Sequence, residues 1–293
     1  MRLSRIPSIE IKTPGQLALM REAGLVVARM LAAAAAAAEP GISTAELDAI
    51  AEREMKAAGA RSSFKGYHGF PATICTSVND QIVHGIPSPA VTLAAGDVLS
   101  IDAGAIVGGW HGDAAITIGV GEITQPAADL LRACELAMWH GIAAAAAGRR
   151  LTDISYAIES SVVASGGYGV VREYTGHFIG SSMHMDPAVP NYGRPGRGPV
   201  LTEGMAMAIE PMLVLPPGGS GASSAPQTRL LDDGWTVVTA DGGIAAHFEH
   251  TVAITADGPW VLTAEDGGES GLASIAAGAG QPAGDTAVGA RRA

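Results

Sequence analysis

The sequence predicts an α+β domain built from two similar halves, and three observations support this class. A glycine followed five residues later by isoleucine and an acid occurs at residues 96–102 and again at 204–210. His111-Gly112-Asp113 is matched by His247-Phe248-Glu249, and a strand-like stretch follows each. In both halves two helix patterns precede the acid-bearing strands. Such a repeated order is typical of an internal duplication.

Capping residues mark the helices of the first half. Thr13 and Pro14 predict the start of a helix that runs to about residue 39, because threonine caps and proline is favoured in the first turn. Ser43 and Glu46 form a capping-box pattern that predicts a second helix. Strands are then predicted at about residues 72–78, 98–103 and 114–119.

The second half repeats this order. A helix is predicted from Thr124 to about Ala147, and Thr152 is predicted to cap the next one. Strands are predicted around Glu210 and at about residues 235–239 and 244–255. We therefore expect a single domain over residues 1–264, with pseudo-symmetric halves of about 14–120 and 121–264. Residues 265–293, which are rich in Gly, Ala, Ser and Asp without periodicity, are predicted to form a disordered tail.

Composition limits the possible classes of function. The net charge of −11 disfavours a nucleic-acid-binding protein, because no basic stripe is available to neutralise phosphates. Cys75 and Cys134 are too few for a disulfide framework or a thiolate zinc site, which favours a reducing compartment. We recognise no signal peptide or membrane span. A cytoplasmic protein without membrane attachment is expected.

Carboxylates in apolar surroundings predict a metal centre. Asp102 and Asp113 flank a hairpin predicted to close at Val107-Gly108, which would place the two acids directly opposite, with Cβ atoms about 4.5–5.5 Å apart. The apolar neighbours of Asp102 and Glu210 predict burial, and buried carboxylates need partners. His177 is the best imidazole candidate, and such ligands suit Mn, Fe, Co or Zn. Taken singly, the acids could be exposed hairpin residues and the histidine a core residue.

Six ordered motifs give the chain a specific resemblance to a known family. The motifs are Thr76-Ser77-Val78-Asn79-Asp80 with His84-Gly85-Ile86-Pro87, Ile101-Asp102-Ala103-Gly104, His111-Gly112-Asp113, Gly176-His177, Ile209-Glu210-Pro211-Met212 and Glu249-His250-Thr251. Over about residues 11–263 the sequence resembles the type I methionine aminopeptidases in the order and spacing of these motifs. The resemblance implies the pita-bread fold, in which duplicated helix-helix-strand halves surround a curved antiparallel sheet.

The resemblance also implies site residues. Five side chains would hold two divalent ions (Co, Mn, Fe or Zn), namely Asp102, Asp113, His177, Glu210 and Glu249, with Asp113 and Glu249 bridging. Glu210 would also be the proton shuttle, and His84 and His184 would face the scissile bond. The methionine pocket would consist of Tyr67, Phe70, Cys75 and Trp235, together with Phe64, which could equally be ordinary core. The expected substrates are nascent polypeptide N-termini with a small second residue, met near the ribosome by a monomer.

Residues next to His177 and His184 depart from the family pattern, and among them Met185-Asp186 replace an acidic pair. Phe178 stands where the motif usually has glycine after the ligand histidine, and Met183 replaces the usual aromatic residue before His184. These changes are expected to touch the pocket rim. Two alternative functions stay open at this point: an Xaa-Pro-directed aminopeptidase or prolidase of the same fold, and a low-activity peptide-binding relative. Cys75 as a catalytic nucleophile is a weaker interpretation, because no histidine and acid are dedicated to it.

Overall fold

The structure, a computed structural model, describes residues 9–219 and 225–278, and it confirms the α+β class. Helices α1–α5 span Pro14–Ala37, Thr44–Ala57, Gln125–Ala144, Leu151–Ala164 and Glu269–Gly278. Strands β1–β8 span Arg61–Ser62, Ile74–Val78, Gln81–Val83, Val98–Val107, Trp110–Gly119, Gly169–Val170, Gly176–Phe178 and Met185–Val189. Strands β9–β15 span Ala206–Ile209, Met212–Leu215, Thr228–Leu230, Val237–Thr239, Ile244–His247, Glu249–Thr255 and Gly258–Val261.

One antiparallel sheet of nine strands organises the molecule. Its order is β1-β4-β5-β14-β9-β7-β8, with β2 paired to β4 and β15 paired to β14. The first half of the chain supplies β4 and β5, and the second half supplies β14, β9 and β7. The halves meet where β5 pairs with β14, at Glu249 opposite Ala115 and His250 opposite Ala114. The predicted duplication therefore produces one continuous sheet with a junction at its centre.

Each half covers its part of this sheet with its own pair of helices. Helices α1 and α2 pack against each other, and α1 also packs on β4 and β5. Met30, Leu47 and Leu99 are fully buried in this first core. Helices α3 and α4 pack together beside β9 and β10, where Leu130 and Ile158 are fully buried. Burial of these apolar helix faces stabilises the sheet from which the site residues project.

The helix starts follow the predictions, with one exception. Both capping boxes form, with the side chains of Thr13 and Ser43 each accepting from the backbone three residues later. The prediction that Thr152 caps α4 is wrong, because the helix already begins at Leu151. The carboxylate of Asp153 accepts from the backbone N–H of Arg150 at 3.0 Å and so provides the cap. The Thr152 hydroxyl instead donates to the carbonyl of residue 197 at 3.2 Å.

The structure differs from the predicted tail over residues 265–278, where α5 forms. Leu272 packs against the core of the second half. A Cβ atom on Gly271 would lie 2.3 Å from the Trp139 ring, so the missing side chain lets the helix rest on the indole. Residues 279–293 of the predicted tail lie outside the described part of the chain. Among the described helices, none has the length and apolar character required to cross a bilayer.

Candidate metal centre and peptide pocket

Five consecutive strands of the main sheet each present one candidate ligand. Asp102 is on β4, Asp113 on β5, Glu249 at the start of β14, and His177 on β7. Glu210 directly follows β9, in the register position next to the pair of Ile209 and His250. Sheet order, and not chain order, therefore brings the five together. They line one cavity of about 430 Å³.

The turn of the first hairpin lies one residue later than predicted, so each residue pairs with a partner two positions away from the predicted one. The turn consists of Gly108 and Gly109, with φ values of 58° and 88°. Positive φ at both central positions is typical of a tight two-residue hairpin turn, which glycine allows at little cost. Asp102 consequently pairs with Ala115, and Asp113 pairs with Gly104. The two acids share a face as diagonal neighbours, and they are not directly opposite.

The backbone of Asp113 is fixed by a threonine of the other half. The hydroxyl of Thr251 accepts from the Asp113 N–H at 3.0 Å and donates to the Asp113 carbonyl at 2.8 Å. Thr251 itself is fully buried. A rigid main chain lets the carboxylate keep a defined direction, as a metal ligand requires.

Three of the candidate ligands form a compact group. Ligand atoms of Asp113, His177 and Glu249 all lie within 4.8 Å of one another. Asp102 and Glu210 are not members of this mutually close group of three. Glu210 Oε1 is 3.4 Å from His177 Nε2, a separation that ligands of one ion can have. The structure thus brings all five predicted residues to one cavity, three of them more tightly than the others.

The carboxylates are an electrostatic cost without a cation. Burial raises the pKa of Asp113, Glu210 and Glu249 well above their usual values, and neighbouring carboxylates add to this for Asp113 and Glu249. Burial, with Glu210 nearby, raises the pKa of Asp102 to about 7 although His247 opposes the change. Buried oxygens of three of these acids have no hydrogen-bond partner among the described residues: Asp102 Oδ1, Asp113 Oδ1 and Glu249 Oε1. Divalent cations would satisfy both the charge and these atoms, so the donor set fits them.

His177 is set up as a neutral nitrogen donor. Burial lowers its pKa to about 3, which keeps the imidazole uncharged. Its Nδ1 lies 3.1 Å from the carbonyl oxygen of Phe178, which can only accept a hydrogen bond. The proton therefore resides on Nδ1, and the Nε2 lone pair is free for a metal ion.

Aromatic and sulfur-containing side chains form the apolar wall of the cavity. Phe64, Phe70, Cys75 and Met183 pack together with partly buried Tyr67 and Trp235. All the residues predicted for the methionine pocket line the same cavity as the candidate ligands. His184 is also at this wall, where its Nδ1 lies 2.9 Å from the Tyr67 hydroxyl. Their placement together is observed, and their individual roles stay predictions.

His84 holds an uncommon backbone conformation beside the pocket. Its φ is 60°, and its ring lies 6.4 Å from that of Trp235. A Cβ atom on the following Gly85 would be 2.2 Å from the carbonyl oxygen of Thr76, so only glycine fits there. Backbone held in a sparsely populated region is often found at functional sites. The His84-Gly85 pair thus turns the chain so that the imidazole faces the cavity.

The expectation that Phe178 touches the pocket rim is wrong. Phe178 is 1% exposed and packs in the core of the second half, whereas its neighbour His177 lines the cavity. Successive residues of a strand point to opposite faces, which separates the two side chains. Met183, in contrast, does lie in the pocket wall, 4% exposed.

This separation predicts different effects for two substitutions. Phe178→Ala should lower the free energy of unfolding by about 3–5 kcal/mol through a core cavity and leave KM nearly unchanged. Met183→Ala should mainly raise KM, because it removes a wall of the pocket. Denaturant unfolding and steady-state kinetics on a Met-initiated peptide measure both quantities. A raised KM for Phe178→Ala without loss of stability would contradict the assignment.

Sequence patterns did not assign His247, which also lines the cavity. Its Nε2 lies 3.6 Å from Glu210 Oε2. The repeat of His111-Gly112-Asp113 as His247-Phe248-Glu249 draws attention to residue 247. That repeat contains no information on which of the two histidines faces the site.

Comparison with known proteins gives a consistent result. The chain matches metallopeptidase family M24 over residues 18–256. It is 52% identical over 257 residues to methionine aminopeptidase 1 of Mycobacterium tuberculosis, covering 86% of this chain and 94% of that protein. The crystal structure of methionine aminopeptidase from Thermotoga maritima superposes with a TM-score of 0.83 at 38% identity, covering 88% of this chain and all of that chain.

A more distant likeness concerns the fold alone. Prolidase from Pyrococcus furiosus has a TM-score of 0.68 at 22% sequence identity, and the match covers 87% of this chain and 65% of that chain.

Proposed function

The chain belongs to metallopeptidase family M24, and from this premise we infer that it is a hydrolase that removes the N-terminal methionine from peptides and proteins. Sequence similarity to methionine aminopeptidases extends over most of the chain, whereas the prolidase likeness indicates only the shared fold. The predicted pita-bread fold is confirmed by the superposition on a methionine aminopeptidase. The observation that carries the proposal is the row of five strands, each of which presents one donor to a single cavity.

Two divalent metal ions are the proposed cofactors, held by Asp102, Asp113, His177, Glu210 and Glu249. Buried oxygens of three of these acids, which have no hydrogen-bond partner within residues 9–219 and 225–278, support this assignment. When bound, such ions would polarise the scissile carbonyl and lower the pKa of a water nucleophile. The identity of the metal is left to experiment, because availability as well as affinity decides it.

Proton transfer is assigned to Glu210. Its carboxylate lies between two imidazoles and faces the cavity. Burial raises its pKa, which favours holding a proton taken from the attacking water. The same carboxyl group can then give that proton to the departing amine, as general acid–base catalysis requires.

Substrate positioning is assigned to His84 and His184. Burial lowers the pKa of His84 to about 4, and burial also lowers that of His184, so both rings are neutral near pH 7. When the Tyr67 hydroxyl donates to Nδ1 of His184, the ring proton lies on Nε2. The Nε2–H group can then donate a hydrogen bond to the carbonyl oxygen of the substrate as negative charge develops on that oxygen.

The wall of Phe64, Phe70, Met183 and Trp235 suits a methionine side chain. Thioethers make favourable contacts with aromatic rings, and an apolar wall excludes water from the reaction. We propose nascent polypeptides as the substrates, with a preference for a small second residue. That the protein acts on these substrates near the ribosome stays a prediction. Its cytoplasmic location and monomeric state also stay predictions.

A peptide competition tests this function. The metal-loaded enzyme should cleave Met-Ala-Ser in preference to an Xaa-Pro peptide such as Phe-Pro-Ala. It should leave N-acetylated Met-Ala-Ser intact, since the free amine is part of recognition. The relative cleavage rates of Met-Ala-Ser and Met-Leu-Ser measure the preference for the second residue. Preferential Xaa-Pro cleavage would favour the prolidase alternative, and binding without cleavage would favour the peptide-binding relative.

A further inference from the structure

Glu210 is contacted by a histidine outside the predicted ligand set. His247 Nε2 lies 3.6 Å from Glu210 Oε2, while His177 Nε2 lies 3.4 Å from Glu210 Oε1. Each oxygen of this carboxylate therefore faces one imidazole. His247 is 2% exposed, and its Nε2 has no hydrogen-bond partner within the described part of the chain. A buried nitrogen without a partner is costly unless it has a role in the filled site.

The backbone of His247 is held as firmly as that of a ligand. Its N–H donates to the Thr117 hydroxyl at 2.8 Å, and the same hydroxyl donates to the His247 carbonyl at 2.7 Å. Thr251 makes the equivalent pair of bonds to the backbone of Asp113. The two threonines lie on β5 and β14, the strands that join the halves. His247 and Asp113 are thus fixed in the same manner at the centre of the sheet.

The repeat-related histidine has a different environment. His111 occupies the position before Asp113 that His247 occupies before Glu249. Its Nδ1 shares a hydrogen bond with the Ser63 hydroxyl at 2.9 Å, and it is not among the residues that line the cavity. His111 is hydrogen-bonded to a serine, whereas Nε2 of His247 faces the Glu210 carboxylate and has no hydrogen bond to any residue that the structure describes. This asymmetry indicates that His247 serves the site.

We propose that His247 is a positioning residue that donates from Nε2 to Glu210 Oε2 and so directs Oε1 towards the metal site. This inference rests on the proposed function. The observed 3.6 Å exceeds hydrogen-bond length, so the proposal requires a small rotation of the Glu210 carboxylate towards His247. Without such a donor the Glu210 carboxylate can rotate. Metal affinity and the rate of proton transfer from the water should then both fall. Partners that orient metal ligands contribute about 10–100-fold to metal affinity or activity.

The test compares three variants of the full chain. His247→Leu, which cannot donate, should raise the Kd for Mn²⁺ by calorimetry and lower kcat on Met-Ala-Ser, each about 10–100-fold, with KM little changed. His247→Gln can donate from its amide at a similar reach, so both quantities should stay within about threefold of wild type. His111→Leu is the matched control and should leave both unchanged. If His247→Leu does not fold, His247→Asn takes its place, because its shorter amide fails to reach Glu210.

Two results would overturn the proposal. The first is a non-donating variant with wild-type Mn²⁺ affinity and kcat. The second is equal loss in His247→Leu and His247→Gln together with loss of one shifted imidazole signal in the NMR spectrum of the Co²⁺-loaded protein, since His247 would then be a ligand. Measurements on the wild-type protein distinguish a failure of the His247 proposal from a failure of the proposed function. If it neither binds Mn²⁺ nor cleaves Met-Ala-Ser, the function is wrong; if it does both, only the role of His247 is in question.

Discussion

Replacing Asp113 by alanine is expected to lower kcat at least ~10³-fold, equivalent to about 4 kcal/mol of transition-state stabilisation. Asp113 belongs to the compact group in which ligand atoms of three residues lie within 4.8 Å of one another. Its strand is also the one that joins the two halves of the sheet. Loss of its carboxylate removes one of the three donors of this compact group. Metal affinity should fall together with kcat.

Steady-state kinetics on Met-Ala-Ser, with calorimetric titration of Mn²⁺, measure both effects. Cys75→Ala is the matched control, because Cys75 lines the same cavity and pairs with Asp102 in the β2–β4 ladder. Burial, reinforced by Asp102, raises the pKa of its thiol well above the usual value, so it stays protonated and weakly nucleophilic. The control should keep kcat within about tenfold of wild type. If loss of the cysteine were lethal and loss of the aspartate harmless, the metal mechanism would be wrong.

Local sequence predicts the helices and strands better than the register in which the strands pair. The capping residues of α1 and α2 are decisive because their partners lie three residues away. The register of the first hairpin depends on which two residues form the turn, and the acid spacing pointed to Val107-Gly108 instead of Gly108-Gly109. The adjacent glycines, both able to adopt positive φ, were the usable signal. Moving the turn by one residue shifts the pairing by two residues, and this changes two opposed acids into diagonal neighbours.

The features that sequence missed depend on distant contacts. Helix α5 packs with Gly271 against Trp139, a residue of α3 that composition alone does not connect to it. His111 and His247 look equivalent in the repeat, and their tertiary contacts distinguish them, because Ser63 bonds His111 whereas His247 faces Glu210. Phe178 was assigned to the rim from its place in a motif, although strand alternation sends it to the core. Motifs identify the candidate site residues, and the strand order and register of the sheet determine their relative positions.

Chelation of divalent metal is expected to abolish turnover and to lower the midpoint of thermal unfolding. Without cations, buried oxygens of Asp102, Asp113 and Glu249 have no hydrogen-bond partner among the described residues, and the carboxyl groups of Asp113 and Glu249 lie close together. A ligand that binds only the folded state at 100 times its Kd stabilises it by about 2.7 kcal/mol. For a chain of this size that corresponds to about 5–10 °C in Tm. Calorimetric scans of chelated and reloaded protein measure the shift, and full activity after exhaustive chelation would contradict the proposed cofactor.

Graded return of Mn, Fe, Co or Zn to the chelated protein then tests for two ions. Five donors presented by five strands exceed the four positions of a typical single tetrahedral site, and they leave carboxylates able to bridge. Activity is therefore expected to rise until two equivalents are bound, with the second equivalent contributing measurably to kcat. His111→Leu, whose histidine lies away from the cavity, should follow the same titration curve. Saturation of both activity and binding at one equivalent would reduce the centre to a single ion and remove the bridging role from Asp113 and Glu249.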